Sequence, residues 1–232
     1  MNLYEIKNKL EEQEKAVFGL NEIARMLRKP KNITAVYLNR MCKKGLIFSI
    51  EKNKFSKTRD IFVIASQLIY PSYLGLTTSL YLQNEFSQII DRIYVFTSRQ
   101  KKKIKVFDAE INFIKVNSKS MFGYKKIKKE DSFIFVSNLE KTIIDLILFQ
   151  NYSRVGNLLE LIKKSDIEKL LDYVKTLKKE VLIRKIGFLL DSVKIVHDLK
   201  RKTKTIYKFN PRRKEKGKFN NKWFLYINEV LE

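Results

Sequence analysis

Little in this chain suits it to redox or metal chemistry. Of its 232 residues one is cysteine and one is histidine. An intramolecular disulfide is therefore excluded, and one thiol with one imidazole cannot build a Cys/His zinc site. We expect no cofactor and no metal. A lone Cys42 fits a reducing compartment, and the expected location is cytoplasmic. Three prolines and seven glycines leave little room for flexible linkers or disorder. Gly187 and Gly217 stand alone, so no glycine-rich phosphate loop is formed. No apolar run approaches the ~20 residues that cross a bilayer, and no membrane partner is expected. The N-terminal MNLYEIKNKLEEQEK carries Leu3, Ile6 and Leu10 on one side; it reads as a first helix, not as a signal peptide. Acidic residues are scarce beside basic ones, 25 against 48, for a formal net charge of +23. A polyanionic partner is the first explanation of such an excess. An AT-rich coding bias raises lysine in general, but here the cations cluster.

What is present organises itself around residues 18–57. The segment Asn32 to Lys44 reads NITAVYLNRMCKK and is followed by Gly45. It has the pattern of a recognition helix in a winged helix-turn-helix. Asn32 is the expected N-cap, Pro30 marks the end of the preceding helix, and Gly45 the left-handed stop. Val36, Leu38, Met41 and Cys42 are expected to supply a buried stripe. That leaves Thr34, Tyr37, Asn39, Arg40, Lys43 and Lys44 outward. Upstream, EIARMLRK is a short helix with Asn21 as its expected cap and Ile23, Ala24 and Leu27 inward. Downstream, LIFSI, a turn at residues 51–54 and FSK form a hairpin, the wing. It offers Lys52, Asn53, Lys54 and Lys57 to phosphates.

The rest reads as an α+β body. Residues 60–66 are a strand or the start of a helix. Pro71 begins a turn, after which residues 73–82 continue as a helix with Leu76, Leu80 and Tyr81 on its apolar face. IYVFT, the alternating EINFIK and SFIFV are strands, separated by basic turns at 98–105 and 122–129. Helices follow at 137–149, 157–163, 165–177 and 180–196. Ser165 and Glu168 form a capping box for the third of these. WFLYI is a closing strand. The fold class is thus α+β: an N-terminal winged helix-turn-helix (1–62), then a small, mainly antiparallel sheet with helices and a C-terminal helical region closed by a strand (63–232).

Several of these pieces together resemble the AbiEi family of abortive-infection antitoxins. They are the N-terminal winged helix; Tyr73-Leu74 with Thr78-Ser79-Leu80-Tyr81; the run Glu140-Lys141-Thr142-Ile143-Ile144-Asp145, like the family's E-K-T-I-x-D; Arg184 to Leu190; and Phe209-Asn210-Pro211 with the terminal Trp223 and Asn228. Gly75 and Thr78 stand where small serine and alanine positions are expected. The resemblance spans nearly the whole chain. It implies the antitoxin of a type IV toxin-antitoxin system, whose winged helix binds and represses its own operon promoter. It also implies opposition to a nucleotidyltransferase toxin, AbiEii, without a stable complex between the two.

No set of residues calls for an enzyme. Lys141 and Asp145 are spaced for an intrahelical pair. Asp108 and Glu110 share a strand face, but Lys115 falls on the other, which disfavours a metal nuclease. His197 lacks a partner nucleophile and reads as a surface or capping residue. The expected function is a DNA-binding repressor and antitoxin. Thr34, Tyr37, Asn39 and Arg40 approach base edges, and Lys43, Lys44, Lys52, Lys54 and Lys57 hold phosphates. The alternative is an RNA- or protein-binding module that uses the winged helix as a scaffold.

Overall fold

Ile6 and Leu10, one turn apart on α1 (Leu3–Glu11), decide where the N-terminal core sits. Both are buried, and they share a cluster with Phe18, Ile23, Leu38, Met41 and Ile47. The computed structural model describes residues 2–86, 88, 90–149 and 158–229. They fall into two units. The first comprises Met1–Leu74, Asp91–Met121 and Lys125–Val136; the second comprises Gly75–Ile90, Phe122–Tyr124 and Ser137–Glu232. The boundary expected at residue 62 lies inside the first unit.

After α1 the first unit continues through β1 (Val17–Gly19), α2 (Leu20–Leu27), α3 (Lys31–Lys43), β2 (Phe48–Glu51) and β3 (Lys54–Ser56). The three strands form one antiparallel sheet in the order β1-β3-β2. Residues 61–67 resolve the strand-or-helix alternative as a helix, α4 (Ile61–Gln67). The Asp60 carboxylate caps it by accepting from the Phe62 and Val63 amides. Gln67 joins the sheet of β1 to the strands beyond: its Oε1 accepts from Ala16 and Val17, and its Nε2 donates to the carbonyl of Phe133.

A second sheet follows. It is built of β4 (Ser72–Leu74), β5 (Arg92–Thr97), β6 (Ile104–Val106), β7 (Ala109–Lys115), β8 (Tyr124–Lys129) and β9 (Ser132–Ser137), in the order β6-β7-β5-β4-β9-β8. Three readings are corrected here. Residues 72–74 are a strand, and the helix α5 (Leu76–Leu82) starts only after Gly75. Tyr73 is wholly buried and stacks on Phe96 at 5.1 Å, so pairing in mid-sheet overrides helical continuity. The expected basic turns at 98–105 and 122–129 hold strand β6 at the end of one and β8 over most of the other. Both are edge strands, where lysines facing water also discourage pairing with another chain. Across these two sheets the pairs are mainly antiparallel; β5–β7 and β4–β9 run parallel.

The second unit packs α5 with α6 (Leu139–Phe149), α7 (Leu158–Lys164), α8 (Ile167–Leu177) and α9 (Glu180–Ser192). A small sheet, β10 (Tyr207–Lys208), β11 (Lys218–Asn220) and β12 (Leu225–Ile227), closes it in the order β10-β12-β11. Asn138 accepts from the Lys141 amide at the start of α6. The capping box at Ser165 is not formed. Asp166 caps α8 by accepting from the Lys169 amide, and the Ser165 hydroxyl donates to the Ile162 carbonyl. α9 stops at Ser192, four residues short of the expected end at Val196, which is 94% exposed. The expected start of α7 at Asn157 lies outside the described residues.

Candidate nucleic-acid interface

The two short helices and the hairpin of the N-terminal segment meet at defined stops. α2 ends at Arg28, whose φ of 51° is left-handed, and Lys29-Pro30 leads into α3. Gly45, at φ +67°, ends that helix and lets the chain reverse into β2. Asn53, at φ 61°, turns β2 back into β3. Neither expected N-cap holds. Pro30 precedes α3, which already includes Asn32; Gly19 precedes α2, which includes Asn21, and the Glu22 carboxylate accepts from the Gly19 amide.

The phase of α3 differs from the sequence reading, and the difference matters for the site. Thr34, Leu38 and Met41, at i, i+4 and i+7, are wholly buried. Thr34 therefore reaches no ligand; its hydroxyl donates to the Pro30 carbonyl at 3.0 Å and helps to seat the first turn. Val36 lies two residues from both Thr34 and Leu38, about 200° around the helix, and so faces water at 49% exposure. Ile33 is 43% exposed. Cys42 is only half-buried; burial pushes its thiol up, which makes it a poor nucleophile. Tyr37 is half-buried against the core at the flank of the outward face, with the Lys29 ammonium 6.0 Å from its ring. Asn39, Arg40, Lys43 and Lys44 are exposed, as expected, and α3 carries no acidic residue. Together with Asn2 and Leu3 of the chain start, Tyr37, Arg40, Lys43 and Lys44 line an open cleft of roughly 430 Å³.

Only part of the wing remains available. Lys52 and Asn53, at the tip, are exposed. Lys54 is committed: its ammonium donates to the Leu68 carbonyl and lies 3.8 Å from the Glu51 carboxylate, and burial holds its pKa down. Lys57 is committed too. Its ammonium donates to the carbonyls of Glu11 and Gln13, and burial again lowers its pKa. These two lysines fasten the hairpin to the body instead of holding phosphates. Lys101 adds a further tie, 2.6 Å from the Glu51 carboxylate.

The remaining candidates are structural. Lys141 and Asp145 form the intrahelical ion pair their spacing allows. Both are buried inside the second unit, and desolvation lowers the Lys141 pKa despite the Asp145 charge. Asp108 lies in the turn before β7, off the strand that carries Glu110, and Glu110 is taken up by Lys103 at 2.8 Å. His197 is not a surface residue. Its side chain is 3% exposed, Nδ1 accepts from the Leu199 amide, and the ring leans on Trp223 at 5.7 Å.

Sequence reasoning missed Ile33 and Val36. The signal lay in the Thr34-Leu38-Met41 triplet, which sets the buried axis of α3 without them. Comparison with protein-family models and with curated proteins returned no match.

Proposed function

We propose that residues 20–56 form a winged helix-turn-helix that seats α3 in the major groove of duplex DNA. We propose further that the chain represses its own operon and acts as the antitoxin against an AbiE-type nucleotidyltransferase toxin. One observation carries the DNA reading: the outward side of α3 presents Asn39, Arg40, Lys43 and Lys44 to water with no acidic residue on the helix. Asn and Arg are the side chains that pair in bidentate fashion with adenine and guanine edges. The lysines at the C-terminal end and Lys52 at the hairpin tip suit the flanking phosphates. The antitoxin role rests on the resemblance of the later motifs, and no enzymatic step is assigned.

Footprinting the chain on the DNA upstream of its own gene tests the first part. A protected site that survives excess random duplex is expected. Protection that random duplex removes at equal mass would overturn it. Co-expression with the neighbouring nucleotidyltransferase gene tests the second; growth restored by the chain supports it, and unrelieved arrest contradicts it. A competing reading, a protein-binding α3, is favoured by the exposed Ile33 and Val36. It predicts no footprint at all.

A further inference from the structure

A different surface in the second unit has the chemistry of a nucleic-acid platform. Between residues 200 and 222 there are eleven Lys and Arg and one acidic residue, Glu215. The whole chain carries about two cations per anion, so general lysine bias does not account for this stretch. Nine of the eleven are exposed, and residues 202–206 and 211–218 are exposed throughout; Arg201 and Lys208 are half-buried, and Arg213 and Lys222 pair with Glu229 and Asp191 at 2.7 Å.

The stretch is nevertheless held firmly. Arg184 of α9 is wholly buried, and its guanidinium donates to the carbonyls of Thr203 and Thr205 and to the Thr203 hydroxyl. Glu180, one turn earlier, accepts from the amides of Lys202 and Thr203. Asn210 and Asn228 bond reciprocally, the Asn210 amide donating to Asn228 Oδ1 and Asn228 Nδ2 donating to the Asn210 and Glu215 carbonyls. At Gly217 the loop meets β12 so closely that a Cβ would lie 2.0 Å from the Ile227 carbonyl. A solvated lysine run needs none of these fixings.

The small sheet beneath supplies rings. Leu225 is buried, so its face of the sheet is the inner one. One position along, Lys208, Tyr226 and Phe219 are register partners on three adjacent strands and share the opposite face. Phe219 lies 5.0 Å from Tyr226 and 5.8 Å from Phe224, and all three rings are partly exposed. The Arg201 guanidinium is stacked 3.9 Å over Phe224, tethered by bonds to the Lys222 and Thr203 carbonyls. The Lys216 ammonium sits 5.8 Å over Tyr226.

We propose that this face, with the strap at residues 200–206 and the loop at 211–218, binds single-stranded RNA. Phosphates engage the exposed cations, and unpaired bases stack on Phe219, Tyr226 and the Arg201 plane. A duplex hides its base faces and would leave the rings idle, whereas RNA loops and ends expose them. The assignment is independent of the DNA reading of α3.

Fluorescence anisotropy of the full chain with a labelled 16-nucleotide single-stranded RNA tests it. Duplex RNA and single-stranded DNA of the same sequence serve as comparators. Phe219→Leu/Tyr226→Leu removes the rings but keeps apolar bulk, and about a tenfold loss on the single-stranded RNA is expected. Lys214→Gln/Lys216→Gln/Lys218→Gln changes only exposed side chains, two on the loop and one at the start of β11, and so leaves the core untouched. It is expected to flatten the salt slope by about 2. Duplex RNA or single-stranded DNA bound as tightly as the RNA would overturn the proposal. So would unchanged affinity in the ring variant once its thermal unfolding matches the parent, or an unchanged salt slope in the loop variant.

Discussion

Val36 holds 49% of its surface in water on the outward side of α3. An exposed valine between Asn32, Asn39, Arg40 and Lys43 has a use in a major groove, where the C5-methyl of thymine is the apolar contact. Replacing Val36 by alanine is expected to weaken operator binding several-fold. Replacing the contacted thymine by deoxyuridine should do the same, and the two changes together should cost little more than one. Additive losses would separate Val36 from any methyl group. Lys185 poses a different residue-scale question. It is 3% exposed in α9, and burial pushes its pKa down to about 8. Below pH 8 the folded protein holds a buried charge. Between about pH 8 and 10.5 the folded amine loses its proton while the unfolded one keeps it, so stability rises with pH across that window. Lys185→Met is expected to stabilise the chain at pH 7 by up to about 3 kcal/mol, an advantage that shrinks by pH 10. Urea unfolding at the two pH values measures this; an advantage that does not shrink contradicts it. At this scale the sequence was legible where spacing sufficed, as for Asn39, Arg40, Lys43 and Lys44. It misled at Thr34, Lys54 and Lys57, because a hydroxyl can satisfy itself on a backbone carbonyl and an ammonium can bridge to one far along the chain.

The helix α6 illustrates how an element can be read correctly and its energetics missed. Its apolar period placed it, and the Lys141–Asp145 spacing gave an intrahelical pair whose worth on an open helix is only a few tenths of a kcal/mol. Burial on both sides changes the arithmetic. Lys141→Met alone removes the ammonium that faces a buried carboxylate and is expected to cost about 3–5 kcal/mol. Lys141→Met/Asp145→Leu should recover most of that loss. Chemical denaturation of the three proteins decides it, and a double variant no better than the single would refute the account. α9 makes a second case. A Cβ on Gly187 would lie 2.3 Å from the Trp223 ring, so the glycine admits the indole, whose Nε1 donates to Asp191 at 2.6 Å. Gly187→Ala raises helix propensity by ~1 kcal/mol. It is nonetheless expected to lower stability by about 1–3 kcal/mol through overpacking; a higher melting temperature would contradict this. Strands β6 and β8 were illegible for a physical reason: edge strands that shed partners with lysine look like basic loops.

Across the whole molecule the +23 charge is not one field with one purpose. In the N-terminal segment, four cations stay free for a duplex on the proposed face: Arg40, Lys43, Lys44 and Lys52. That number predicts a log–log salt slope of about −3.6 for one copy, a loss of about 150-fold between 50 and 200 mM salt. Adding Lys54 and Lys57 would steepen it, so Lys54→Gln should leave the slope unchanged. The α+β class and the main helices could be foreseen from periodicity and turn residues, because those signals are local. The division into two units could not, since it depends on which distant segments pair. The most direct measurement is the ratio of affinities for the chain's own upstream site and for random duplex, in the parent and in Arg40→Ala. If α3 reads bases, the ratio falls roughly ten- to a hundredfold, about 1–3 kcal/mol, because the loss is confined to the specific site. An equal loss on both DNAs, or none on either, would contradict the central claim.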